Sequence, residues 1–156
     1  MRPTRNWTSS SPRSTRPAER TCSEPHRPGH GRRLHYPAGR QSDRLQAKLA
    51  GHHWLISFVT LGELTHWTIA RSWGPRKLAD LQRWRRDVVV MPADEAVAQT
   101  WGALRARAAS RGRHRPANDT WIAACCLVNR LPLATFNTKD FVDFAQYEGL
   151  VLLDLA

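Results

Sequence analysis

The chain is short of acid. Its 156 residues hold 13 Asp and Glu against 24 Lys and Arg, a formal charge of +11. The imbalance is uneven. Residues 1–40 carry nine Arg and two Glu, a net +7, and the rest of the chain adds only +4. The high charge therefore says little about what a folded part binds. Long apolar runs are also missing: no stretch approaches the roughly 18 residues of a membrane-spanning helix, and the basic N-terminus has no apolar signal core. Cysteine is scarce. Cys22 stands in the basic stretch, and Cys125 and Cys126 are neighbours on an expected helix, pointing about 100° apart, which argues against a local disulfide. Three cysteines without a pairing pattern fit a reducing, cytoplasmic setting. Nor is there a zinc pattern: His52 and His53 are adjacent, His66 stands alone, and no Cys or His lies at ligand spacing.

Residues 1–41 also have almost no aliphatic side chains. They are rich in Arg, Pro, Ser, Thr, His and Gly, with six of the ten prolines, and cannot offset the entropy of ordering. We expect a disordered basic segment there. One reading makes it an arm that grips nucleic acid. The other makes it a gene-model artefact, because out-of-frame translation of GC-rich DNA gives this composition.

From residue 42 the pattern changes, and residues 42–156 form the expected domain. Leu45 and Leu49 mark a short helix ended by Gly51. Residues 54–60 are an apolar run of the length of a buried strand. Helices follow over 61–71 and 75–86, broken by Gly74-Pro75, then a strand at 88–91 stopped by Pro92. Asp94 is positioned to cap a helix reaching about Ser110. A helix over 119–129, a strand at 133–136, a short helix after Lys139 and a last strand at 150–153 complete the chain. The alternation predicts an α/β fold with a parallel sheet flanked by helices.

Three acids fall at element ends beside apolar stretches: Glu63 in Thr60-Leu61-Gly62-Glu63-Leu64, Asp119 in Asn118-Asp119-Thr120-Trp121-Ile122, and Asp140 in Thr135-Phe136-Asn137-Thr138-Lys139-Asp140. Active sites of open α/β sheets lie beyond the carboxyl ends of the strands, and these positions let the three carboxylates converge there. Carboxylate clusters suit Mg²⁺ or Mn²⁺. Each acid also has a plain alternative as a helix cap or a dipole partner. Asn137, Thr135 and Thr60 are further candidates for orienting a water or ligand. The stretch Arg105, Arg107, Arg111, Arg113, His114, Arg115 reads either as phosphate contacts or as a solvated helix end. Most of the seven Trp fit a core, although Trp67, Trp73 and Trp84 could border a partner groove.

Together the three acidic phrases, with Ile56-Ser57-Phe58-Val59 ahead of the first and Gly149-Leu150 after the last, resemble the PIN-domain ribonucleases, most closely the VapC-type toxins of bacterial toxin–antitoxin pairs. The resemblance spans about 42–156. It implies a PIN-like fold and a Mg²⁺-dependent endoribonuclease with Glu63, Asp119 and Asp140 as catalytic metal ligands. It also implies a cognate antitoxin bound near the second and third helices, and a homodimer or toxin–antitoxin hetero-oligomer. The family's opening strand, apolar and ending in Asp, has no counterpart. Glu19 and Glu24 follow no apolar run, and Asp43 precedes a helical pattern. An alternative follows: a degenerate PIN fold that binds RNA or antitoxin without cutting. A basic nucleic-acid-binding module unrelated to nucleases fits less well, since carboxylates repel phosphate unless a metal lies between them.

Overall fold

The computed structural model describes residues 20–23, 53–153 and 155. The expected helix near Leu45 and Leu49, and the rest of the segment 1–41, lie outside these residues. The described elements are β1 (Arg20–Ser23), β2 (His53–Ser57), α1 (Phe58–Ala70), α2 (Pro75–Arg85), β3 (Val89–Met91), α3 (Glu95–Ser110), α4 (Ala117–Val128), β4 (Leu133–Ala134) and α5 (Thr138–Glu148). The sheet runs β3-β2-β1-β4 and every pairing is parallel.

β1 departs from the expectation for the basic segment. It occupies the middle of the sheet, with Cys22 opposite both Leu55 and Leu133, and Ser23 opposite Ile56 and Ala134. A strand's backbone bonds need no particular side chain, and Thr and Cys tolerate the extended backbone. Arg-Thr-Cys-Ser thus fills the slot without the apolar pattern that would announce it.

β2 shows why the sheet is buried on both faces. Leu55 joins a cluster with Val97, Leu104, Ile122, Leu133, Phe141 and Phe144, from α3, α4, β4 and α5. Its neighbour Ile56 points to the other face and packs with Leu64, Trp73 and Leu81, around α1 and α2. Alternation along a strand sends successive side chains to opposite faces, and each fully buried aliphatic contributes about 1.5–3 kcal/mol. Cys125 and Cys126 are buried thiols within the first cluster.

Several boundaries differ from the sequence reading, among them the strand expected at 133–136, which is only Leu133–Ala134. The run 54–60 is not one strand: Ser57 ends β2 and caps α1, its Oγ accepting from the Thr60 N–H at 3.1 Å. That local cap overrides the apolar continuity of the run. At the other end, 150–153 forms only a bridge between Leu133 and Leu152 rather than a full strand. Asp94 caps α3 as expected, accepting from the Val97 N–H at 2.9 Å.

Candidate functional site

Because all four strands are parallel, Ser23, Ser57, Met91 and Ala134 end at one edge of the sheet. α1 and α5 start from that edge, and α4 is tied to α1 through Asn118. α1 begins at the residue after Ser57, so Glu63 lies on its second turn, deeper in a helix than the sequence suggested. α5 begins four residues after β4, with Asp140 in its first turn. α4 begins at Pro116, which takes the cap position, and Asp119 stands in its first turn. Acids in a first turn complement the positive end of the helix dipole.

The structure joins two of these helices at the acids. The Asn118 side-chain amide donates to Glu63 Oε1 at 2.8 Å, tying α4 to α1. Glu63 Oε2 is buried and has no hydrogen-bond partner among the described residues. Asp119, next to Asn118, is fully buried at 0% exposure. Asp140 is held within its own turn, accepting from the Asn137 side-chain amide. The Asn137 N–H in turn donates to Thr135 Oγ1 at 3.0 Å, so Thr135 and Asn137 shape the β4–α5 turn. Thr60 is buried against Ser57, their hydroxyls 3.0 Å apart. Among the described residues, no three His, Cys, Asp or Glu side chains stand together as a ready metal cluster.

A cavity of about 740 Å³ opens beside this junction, lined by Phe58, Glu63, His66, Trp67, Asn118 and Trp121. Trp121 is stacked on Trp101 with ring centroids 4.6 Å apart and planes 11° apart, and Phe58 meets it edge-on at 5.5 Å. Of the three tryptophans considered for a groove, all pack in the apolar cluster on the α1–α2 face, and Trp67 also lines the cavity. Lys77 Nζ rests 3.7 Å from the Trp73 ring centroid. Its pKa is lowered, chiefly by burial and then by the charge of Arg71.

Much of the basic stretch is engaged in ion pairs within the fold. Asp143, with no exposed side-chain surface, meets Arg111, Arg113 and Arg115 at 3.2, 3.4 and 3.1 Å. Glu148 meets Arg107 and Arg111 at 2.8 and 2.9 Å. Arg105 lies over the Trp101 ring at 5.3 Å. The arginines therefore fasten the α3–α4 connection to α5. The sequence reading missed Asp143 and Glu148 because their partners lie some thirty or more residues away.

The PIN domain family matches residues 35–147. The chain belongs to the PIN-domain family, in its VapC type. Ribonuclease VapC4 of Mycobacterium tuberculosis is 34% identical to it over 92 residues, 56% of this chain and 69% of that protein. Ribonuclease VapC5 of the same organism is 32% identical over 100 residues, 62% of this chain and 70% of that protein. Among solved structures it is similar to VapBC-5 of M. tuberculosis, a member of the VapBC family of toxin–antitoxin systems. That likeness has a TM-score of 0.63 at 22% identity, covering 88% of this chain and 100% of the other, and it bears on fold alone. The PIN match begins at residue 35, so β1 stands ahead of the matched span. No helix among the described residues of this PIN domain is long and apolar enough to cross a membrane.

Proposed function

We propose that this PIN domain is a Mg²⁺- or Mn²⁺-dependent endoribonuclease, the toxin of a type II toxin–antitoxin pair that works in the cytoplasm. Its substrate is RNA. Its partner is a cognate antitoxin protein, within a homodimer or a toxin–antitoxin hetero-oligomer. The observation that carries this reading is the junction of Glu63, Asn118 and the buried Asp119 at the carboxyl edge of a VapC-type PIN sheet. In donor chemistry the residues fit a hard divalent cation: all three candidates are carboxylates, and Glu63 Oε2 is a buried oxygen without a donor among the described residues. Glu63, Asp119 and Asp140 would hold the ion. When bound, such an ion neutralises charge on the phosphate and acidifies a water. The chain's own part is positional. Asn118 fixes one Glu63 oxygen and leaves the other for a cation, and Asn137 restrains Asp140. The first turns of α4 and α5 present helix N-terminal backbone N–H groups, which favour a phosphate.

One observation favours a second reading, the non-cleaving PIN fold. β1 fills the central slot with Arg-Thr-Cys-Ser, which holds no acid, where the family resemblance places an Asp at the strand's end; the residue that follows it is Glu24, outside the described residues. A cluster with one ligand fewer holds its ion more weakly, and a small displacement costs on the order of 100-fold in rate. Mn²⁺ titration followed by electron paramagnetic resonance tests the site without relying on turnover. The wild-type chain should bind Mn²⁺, and Glu63→Gln or Asp119→Asn should weaken binding about tenfold or more. Equal affinity in all three proteins would remove the proposed ligands.

A further inference from the structure

The ion pairs around Asp143 lead back to the candidate acids. Arg115 directly precedes Pro116, the cap residue of α4, and its guanidinium meets Asp143 at 3.1 Å. The first turn of α4 hangs on Pro116, whose carbonyl accepts from the Thr120 N–H at 3.1 Å and from the Thr120 hydroxyl at 2.8 Å. Asp119 stands inside that turn. On α5, Asp143 follows Asp140 by three residues, so the two are neighbours on one side of the helix. One side-chain contact thus links the start of the helix that carries Asp119 to the helix that carries Asp140. Other bonds hold the same start from other directions. Asn118 donates to Glu63 on α1. From α3, Trp101 Nε1 donates to the Ala117 carbonyl and Arg105 to the Arg115 carbonyl, each at 3.4 Å. Of these four contacts, the one with Asp143 reaches α5. The connection it anchors, residues 111–116, lies outside any helix or strand and turns at Gly112, whose φ is +67°.

We propose that Asp143 is a positioning residue of the metal site: it holds Arg115, and through Arg115 it sets the first turn of α4 against α5, and so the placement of Asp119 relative to Asp140. The inference rests on the metal-dependent reading above and adds a residue that acts on that site without touching the ion. Groups that orient metal ligands typically change affinity about 10- to 100-fold when altered. The same network supplies its own contrast. Glu148, the last residue of α5, pairs with Arg107, which lies within α3. That pair fastens the far end of α5 and touches neither Arg115 nor the start of α4, so it supports the fold without placing Asp119.

The test compares Mn²⁺ affinity in full-length variants at neutral pH, read by electron paramagnetic resonance, with native-state hydrogen exchange alongside. Asp143→Asn risks the fold, so the working variant is Arg115→Ala, which leaves Arg111 and Arg113 on the Asp143 carboxylate. Arg115→Ala should weaken Mn²⁺ binding about tenfold. Arg115→Lys keeps a cationic donor for Asp143 and should stay within about threefold of the wild-type chain. Arg107→Ala removes the contrasting pair and should leave Mn²⁺ affinity unchanged, even where it lowers the thermal midpoint. Exchange of the Thr120 N–H should quicken in Arg115→Ala and not in Arg107→Ala, which reads the first turn of α4 without any metal. Wild-type Mn²⁺ affinity in Arg115→Ala would overturn the proposal, as would unchanged Thr120 exchange. Equal losses of Mn²⁺ affinity in Arg115→Ala and Arg107→Ala would also overturn it, because the network would then act only through general stability. A wild-type chain that binds no Mn²⁺ would overturn the metal reading and this proposal together. Wild-type binding that is lost in Asp119→Asn but not in Arg115→Ala would sink the proposal and spare the metal site.

Discussion

Asp143 is a carboxylate with no exposed side-chain surface that meets three guanidinium groups. Burial alone would raise its pKa. Hydrogen bonds from Arg111 and Arg115, with the charges of both, outweigh burial and hold the carboxyl below its usual value. Arg111 is affected in the complementary sense: burial works against its charge, while Glu148 and Asp143 raise its pKa. A carboxyl whose folded-state pKa lies below its unfolded value stabilises the fold above the unfolded value, near 4. That stability is lost as pH falls through the folded value. Thermal midpoints should therefore hold from neutrality to about pH 4 and drop below it. Asp143→Asn should cost about 2–3 kcal/mol at pH 7, less than a fully buried pair because its arginines are partly exposed. It should also flatten the acid limb. An Asp143→Asn protein with wild-type midpoints at pH 7 and pH 3 would show the network to be ornamental. None of this was legible in the sequence: the Arg-rich stretch announced charge, but its acidic partners sit on α5, and pairing at that separation leaves no local pattern. The three candidate acids were legible because each stands beside an apolar phrase. Their surroundings were not, since the Asn118–Glu63 bond spans two helices.

Element boundaries were readable where the signal is local. Asp94 and the Gly74-Pro75 break set the starts of α3 and α2. Ser57 is as local a cap as Asp94, yet it lay hidden inside an apolar run that reads as strand throughout. β1 was harder still. Its four residues carry no apolar alternation, and their place is set by two neighbouring strands that already expose matching backbone edges. A central strand satisfies donors and acceptors on both sides, and buried backbone groups left unpaired are costly. Removing residues 1–23 should therefore lower stability by about 2–4 kcal/mol, several backbone hydrogen bonds at roughly 1 kcal/mol each. Urea denaturation of the truncated and full chains measures it. Equal midpoints would mean that β2 and β4 do not depend on Arg20–Ser23.

At the scale of the whole molecule, fold and chemistry separate. The α/β architecture and the VapC-type PIN assignment follow from alternating elements and three ordered phrases, and the match over 35–147 covers most of the chain. The net charge of +11 is mostly outside this reading, because +7 of it lies in residues 1–40 and several arginines of the domain are spent on Asp143 and Glu148. The site proposed for function is the carboxyl edge with Glu63, Asp119 and Asp140 as its candidate ligands. The central claim is that this edge cuts RNA with the help of a divalent ion. The direct measurement is cleavage of one single-stranded RNA by the full chain with Mg²⁺ or Mn²⁺, with EDTA, and by Asp119→Asn. Cleavage that needs the metal, and falls on the order of 100-fold or more in Asp119→Asn, is the predicted result. Cleavage that persists in EDTA, or is equal in Asp119→Asn, would contradict it.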